Sequence, residues 1–134
     1  MDIHEYQAKK ILSSYGVQIL DGELALNASE AVAAFNKLDS DISVVKAQVH
    51  SGARGKAGGI VLCKTEEEVK IASNKLFGTH LKTIQTGDEG KIIERLYIES
   101  GCDIDREIYL AFVMDRASQR IVIVASAEGG MSIE

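Results

Sequence analysis

Val44-Val45-Lys46-Ala47-Gln48-Val49, running into His50-Ser51-Gly52-Ala53-Arg54-Gly55-Lys56-Ala57-Gly58-Gly59, is the stretch on which the fold of this chain turns. Its first six residues are strand-like, with a lysine set among apolar neighbours. The next ten hold four glycines, two cations and a histidine. Glycines let a backbone approach a ligand closely and aim several N–H groups one way, while nearby cations neutralise phosphate oxygens. The segment predicts a glycine-rich flap between two strands, covering a phosphate tail. It lacks the Gly-Lys-Ser/Thr ending of a Walker A loop, and no helix follows where a dinucleotide fingerprint needs one. The same glycines alone would also suit a mobile surface hairpin.

Lys46 weighs on that choice. An ammonium inside an apolar run must meet an anion or reach water, because burying it alone is costly. In isolation Lys46 reads as a strand-edge lysine facing solvent. With the glycine-rich loop four residues later, the two build one anion site.

Working outward, the 134 residues are about one domain's worth, 46% hydrophobic and 26% charged, enough for a real core. Fifteen basic against twenty acidic residues leave a net charge of −5, so any anion site must be local. That balance, with three phenylalanines and four tyrosines lacking basic interleaving, excludes a general nucleic-acid binder. No run approaches the roughly 18 apolar residues of a membrane helix, and Met1-Asp2-Ile3-His4-Glu5 does not open a signal peptide. Cys63 and Cys102 have no metal-ligand spacing and read as buried or half-buried thiols, which predicts a protein of the cytoplasm or a comparable reducing interior.

Three helices carry start signals. Asp2 with Glu5 has capping-box spacing, and Ala8, Ile11, Leu12 and Tyr15 then share a face that Gly16 ends. Asn27 with Glu30 opens a second helix, its apolar face Ala31, Ala34, Phe35 and Leu38. Thr65 with Glu68 opens a third, with Val69, Ala72 and Leu76 inward and Gly78 near its end. Strands are expected at Val44–Val49, Ile60–Cys63, Ile93–Glu99, Glu107–Asp115 and Arg120–Ala127, the last two as a hairpin, with a weaker one at Gln18–Leu26. Thr86–Gly90 reads as a turn. Helices and strands do not alternate strictly, so the class is α+β, with antiparallel or mixed sheets and flanking helices. Val122-Ile123-Val124-Ala125 leads into a glycine turn and stops at Glu134, which suggests a fragment of a longer protein.

A second polar group spans Glu99-Ser100-Gly101-Cys102 and Asp103-Ile104-Asp105-Arg106-Glu107, where two carboxylates eight residues apart flank a glycine hinge. Carboxylates accept hydrogen bonds from ribose hydroxyls, and hinge backbone can read an adenine edge. Taken alone, the segment reads as a solvated acidic loop. His4 and His80 show no partner in the sequence and read as surface or satisfied histidines. No spacing argues for a Ser/His/Asp or Cys/His arrangement.

Ile3-His4-Glu5-Tyr6-Gln7-Ala8-Lys9, Val44–His50, Gly55-Lys56-Ala57-Gly58-Gly59, Glu107-Ile108-Tyr109-Leu110, Asp115-Arg116 and Glu128-Gly129-Gly130 resemble the β subunit of succinyl-CoA synthetase, in unbroken order over the whole chain. The match covers only the N-terminal part of such a subunit. The resemblance implies an ATP-grasp fold, in which two α+β subdomains clasp a nucleotide. Residues 21–102 would form the smaller, lid-like subdomain, and residues 1–20 and 103–134 a truncated part of the larger one. Carried over by position, Lys46 and the Ala53-Arg54-Gly55 turn would hold the nucleotide phosphates. Glu99 and the backbone of Cys102 would sit at the adenine hinge, and Glu107 at the ribose. Ala53 departs from the family, which commonly has glycine there. The implied reaction is reversible formation of succinyl-CoA from succinate and CoA with ATP or GTP, in the citric acid cycle. The phosphoryl group would pass through a histidine on a partner α subunit, so no residue of this chain is nominated as catalytic. The Mg²⁺ ligands would lie outside this chain, and the fragment alone would be inactive. A eukaryotic version would be mitochondrial. Malate–CoA ligase and ATP-citrate lyase share much of the motif set, and a non-catalytic nucleotide- or partner-binding module is the remaining alternative.

Overall fold

The computed structural model describes residues 2–130, which fall into two compact units, one ending at Cys102 and the other beginning at Asp103. Met1 and residues 131–134, including the end of the C-terminal glycine turn and of the expected larger subdomain, lie outside the described residues.

The first unit opens with α1 (Glu5–Ser14), β1 (Gly22–Ala25), α2 (Ala28–Lys37), β2 (Ser43–Ala47), β3 (Ile60–Cys63) and α3 (Glu66–Leu76). It continues through β4 (His80–Leu81), β5 (Lys91–Ile92) and β6 (Leu96–Ser100). Two helix starts follow the predicted caps. Asn27 Oδ1 accepts the Glu30 N–H at 2.9 Å, and Thr65 Oγ1 accepts the Glu68 N–H at 3.2 Å. The first helix starts later than Asp2 predicts. His4 is its cap, donating its N–H to Gln7 Oε1 at 2.8 Å, and Glu5 becomes the first helical residue. Gly16, at φ +82°, ends the helix, with its N–H on Ser13 O at 2.9 Å and that of Val17 on Leu12 O at 3.1 Å.

Four strands form an antiparallel sheet in the order β1-β6-β2-β3. Alternation along β2 sends Ser43, Val45 and Ala47 to one face and Val44 and Lys46 to the other. The first face, with Ala25, Cys63, Leu96 and Ile98, is covered by Ala31 and Ala34 of α2 and Val69, Ala72 and Leu76 of α3. Val45, Leu96 and Ile98 are wholly excluded from water, and each such side chain contributes about 1.5–3 kcal/mol. On the opposite face Lys46 stands across from Tyr97, and Val44 across from Glu99.

The sheet strands sit close to their predicted places, with shifted ends. β2 ends at Ala47, short of the predicted Val49, although the Gln48 N–H still follows the β2–β6 register by reaching Arg95 O at 2.9 Å. The short β4–β5 ladder around the predicted Thr86–Gly90 turn was not expected, since two-residue strands carry no periodic signal. On the apolar face expected of α1, Ile11, Leu12 and Tyr15 are exposed among the described residues.

The second unit is a hairpin of β7 (Tyr109–Asp115) and β8 (Arg120–Ser126), paired from Tyr109↔Ser126 to Asp115↔Arg120. The predicted turn at 116–119 is held by Asp115, whose Oδ1 accepts the Ala117 N–H at 3.0 Å and whose Oδ2 accepts the Ser118 hydroxyl at 2.6 Å. Those bonds hold the Asp115 carboxyl below the usual range. The hairpin is exposed on both faces within its own unit: Phe112 on one face and Val113 on the other keep 69% and 48% of their surface.

Candidate functional site

Lys46 does not reach for solvent. Its ammonium lies 2.6 Å from Glu5 Oε1 and 2.7 Å from Glu99 Oε2, with Glu99 buried. Lys9, one turn along α1 from Glu5, pairs with the other Glu99 oxygen and stands 5.7 Å from the centre of the Tyr97 ring. The register explains the meeting: Lys46 and Glu99 are two residues off opposite one another, hence on the same sheet face. That face is the one α1 lies across.

Arg54 enters from the glycine-rich loop. Its Nη2 donates to Glu5 Oε2 at 2.8 Å and its Nη1 to Ala47 O at 2.7 Å. The loop is a folded turn rather than a loose hairpin, because Ala57, Gly58 and Gly59 return their N–H groups to Ala53, Gly55 and Arg54 oxygens at 3.1, 3.1 and 2.8 Å. Ala53 adopts φ +55°, the left-handed region that favours glycine, at a cost of about 1–2 kcal/mol for an alanine.

Gln48 joins the helix to the strand. Its buried amide takes the Tyr6 N–H on Oε1 at 3.2 Å and donates from Nε2 to Glu5 Oε2 at 3.3 Å. Burial pushes the Glu5 carboxyl upward, but the hydrogen bond and charge of Lys46, joined by Arg54, outweigh it and bring the pKa down to about 2. Burial and the Lys46 charge lower the Lys9 ammonium, against an opposing pull from Glu5. Lys9, Lys46 and Arg54 face Glu5 and Glu99, so three cations meet two carboxylates and the cluster carries one positive charge in excess.

His4 is not a plain surface histidine. Its ring stacks on His50 at 4.1 Å, and its Nδ1 is buried without a hydrogen-bond partner. Burial, then the charges of His50, Arg95 and Arg54, lower its pKa.

Of the residues singled out in the sequence, Lys46, Arg54 and Glu99 converge in this cluster, and Ala53 and Gly55 flank Arg54 in the turn. Cys63 is buried as expected, but Cys102 is an exposed free thiol rather than a half-buried one, because it ends the first unit just past Gly101, whose N–H reaches Ile42 O at 2.6 Å. Glu107 lies in the second unit beside the Glu128-Gly129-Gly130 motif. Its carbonyl takes the Gly129 N–H at 3.1 Å, and a Cβ on Gly130 would come within 2.8 Å of its Oε2. Sequence reasoning gave no site role to Glu5, Lys9 or Gln48. The signal for Glu5 and Lys9 was their opposite charges four residues apart in the opening heptad Ile3–Lys9, whereas Gln48 lies in the Val44–His50 motif and its amide carried no signal of its own. Among the described residues no group of His, Cys, Asp and Glu side chains is placed to hold a metal ion.

The model of the family described as the ATP-grasp domain matches residues 2–134. The chain belongs to the ATP-grasp family. This ATP-grasp chain is 56% identical over all 134 residues to the succinate–CoA ligase [ADP-forming] subunit beta of Exiguobacterium sp. strain AT1b, and 54% identical to that of Staphylococcus haemolyticus. It covers 35% and 34% of those proteins, so it spans about a third of the length of the curated relatives it matches. Among solved structures, the dinucleotide-forming acetyl-coenzyme A synthetase 1 of Ca. Korarchaeum cryptofilum, solved with coenzyme A, Ca-AMPCP and HgCl+, superposes with a TM-score of 0.72 at 21% identity, over 92% of this chain and 52% of that one. The phosphoribosylamine–glycine ligase of Thermotoga maritima gives 0.60 at 22% identity, over 90% and 27%. These two likenesses show the fold alone, and that fold is the expected one, α+β with antiparallel sheets.

Proposed function

We propose that the chain is the nucleotide-binding portion of a succinate–CoA ligase β subunit. Its identity to such subunits over its full length supports this, and so does one observation above all: Lys46 from β2 and Arg54 from the glycine-rich turn converge on a single pair of anionic oxygens. Two cations so placed are built to hold an anion between them, and phosphoryl transfer depends on such positioning and charge neutralisation.

In this reading Lys46 and the Ala53-Arg54-Gly55 turn hold the phosphates. Glu99 and the Cys102 backbone flank the adenine, and Glu107 takes the ribose. Residues 21–102 act as the lid-like subdomain, and residues 1–20 and 103–134 belong to the larger one. The relatives' ADP-forming names favour the adenine pair, ATP and ADP. The whole subunit would work in the bacterial cytoplasm with an α subunit carrying the phosphorylated histidine, and with Mg²⁺ held by residues outside this chain.

Two measurements test the proposal. Lys46→Ala should weaken ATP binding much more than adenosine binding, and Glu107→Ala should weaken both. Equal losses for ATP and adenosine in Lys46→Ala would count against the phosphate role. The whole subunit with its partner should form a CoA thioester from succinate; reaction with another acid only would overturn the substrate.

A further inference from the structure

We infer that Glu5 is an internal counter-anion of the phosphate site, a carboxylate that fills the phosphate position until a polyphosphate displaces it and thereby loosens the start of α1. The inference rests on the proposed role of Lys46 and Arg54 as phosphate ligands. Each oxygen of Glu5 takes one of those two cations, Oε1 at 2.6 Å from Lys46 and Oε2 at 2.8 Å from Arg54, as two oxygens of one phosphate group would. The placement is built. Glu5 is the first residue of α1, and buried Gln48 binds both its carboxylate and the next backbone N–H.

Charge accounting shows that Glu5 can leave. Lys9 already holds one oxygen of Glu99, so moving Lys46 toward a ligand does not orphan that buried carboxylate. Glu5 itself sits on the first, outermost turn of a helix with no buried residue, where release to water disturbs little packing. The exchange swaps a tethered carboxylate for a ligand phosphate. A competitor that must leave before any anion binds weakens every anion by one common factor and leaves an uncharged nucleoside untouched. Glu5 therefore sets how tightly the site holds phosphates and couples occupancy to the N-terminal helix.

Calorimetric titration of the full chain and of Glu5→Gln, without metal, tests this with pyrophosphate, tripolyphosphate, ADP and adenosine. Glu5→Gln should bind pyrophosphate and tripolyphosphate more tightly by the same factor, about tenfold, the equivalent of one charge-assisted hydrogen bond. Adenosine affinity should not change. A gain that grows with ligand charge would indicate through-space repulsion instead of displacement and would overturn the inference. So would weaker binding, which would make Glu5 an aligner of the two cations, or no polyphosphate binding by either folded protein. Tighter polyphosphate binding with no ADP binding by either protein would uphold the role of Glu5 and sink the nucleotide reading. Hydrogen exchange on the unaltered chain decides the matter even if Glu5→Gln does not fold. Amides of Ala8–Leu12 should exchange faster when tripolyphosphate saturates the site, and unchanged or slower exchange would overturn the displacement.

Discussion

Replacing Lys46 by methionine keeps an unbranched stem of similar length and removes only the charge that two carboxylates share. The cost follows from Glu5, whose carboxyl titrates at about 2 in the folded chain against an ordinary 4.5, chiefly because Lys46 and Arg54 outweigh the effect of burial. A carboxyl depressed in this way contributes stability that is complete above its unfolded pKa and is lost as pH falls from about 4.5 to about 2. The shift corresponds to about 3 kcal/mol at ~1.4 kcal/mol per unit, and screening of this partly exposed cluster reduces it to about 2 kcal/mol. Most of that belongs to Lys46, since its hydrogen bond and charge stand ahead of those of Arg54. Urea unfolding followed by far-ultraviolet circular dichroism should show Lys46→Met about 1–2 kcal/mol less stable than the unaltered chain at pH 7. At pH 3 the gap should shrink by about half, as the unaltered chain loses the same interaction to protonation. A gap near zero at pH 7, or one unchanged between pH 7 and pH 3, would refute the charge network.

Three further substitutions probe the scaffold. Ile98→Ala empties a wholly buried position on the central strand β6 and should cost about 2–5 kcal/mol in the same unfolding assay. Ala53→Gly relieves the left-handed backbone in the loop and should raise the melting midpoint, by up to about 1 kcal/mol of stability, rather than lower it. Gly22→Ala would drive a methyl group into the Tyr97 ring on the face that carries the site, and should cost about 1–3 kcal/mol by calorimetric melting.

Much of the fold was legible because its signals are local. Asn27 and Thr65 announce α2 and α3 through side chains that cap their own helices, and the apolar runs at Ile60–Cys63 and Arg120–Ser126 mark strands by composition. His4 displaced Asp2 as the first cap because Gln7 offers its side chain to the His4 N–H, a pairing that competes with the predicted one three residues wide. The site was half legible. A lysine inside an apolar strand beside a glycine-rich loop signals an anion, whichever elements supply the rest. The identity of the anion that holds Lys46 here, Glu5, depends on a contact 41 residues away, and that of Glu99 on one 53 residues away. No spacing rule reaches that far; only the strand register and the placement of α1 bring those groups together.

In the proposed function the cluster around Lys46 and Arg54 is the phosphate end of a nucleotide site. Calorimetric titration of the chain with ADP, set beside titration of its Lys46→Ala variant, tests it most directly. Saturable binding by the unaltered chain that Lys46→Ala abolishes is the predicted result. Absence of ADP binding by the folded chain, or ADP binding undiminished in Lys46→Ala, would contradict it.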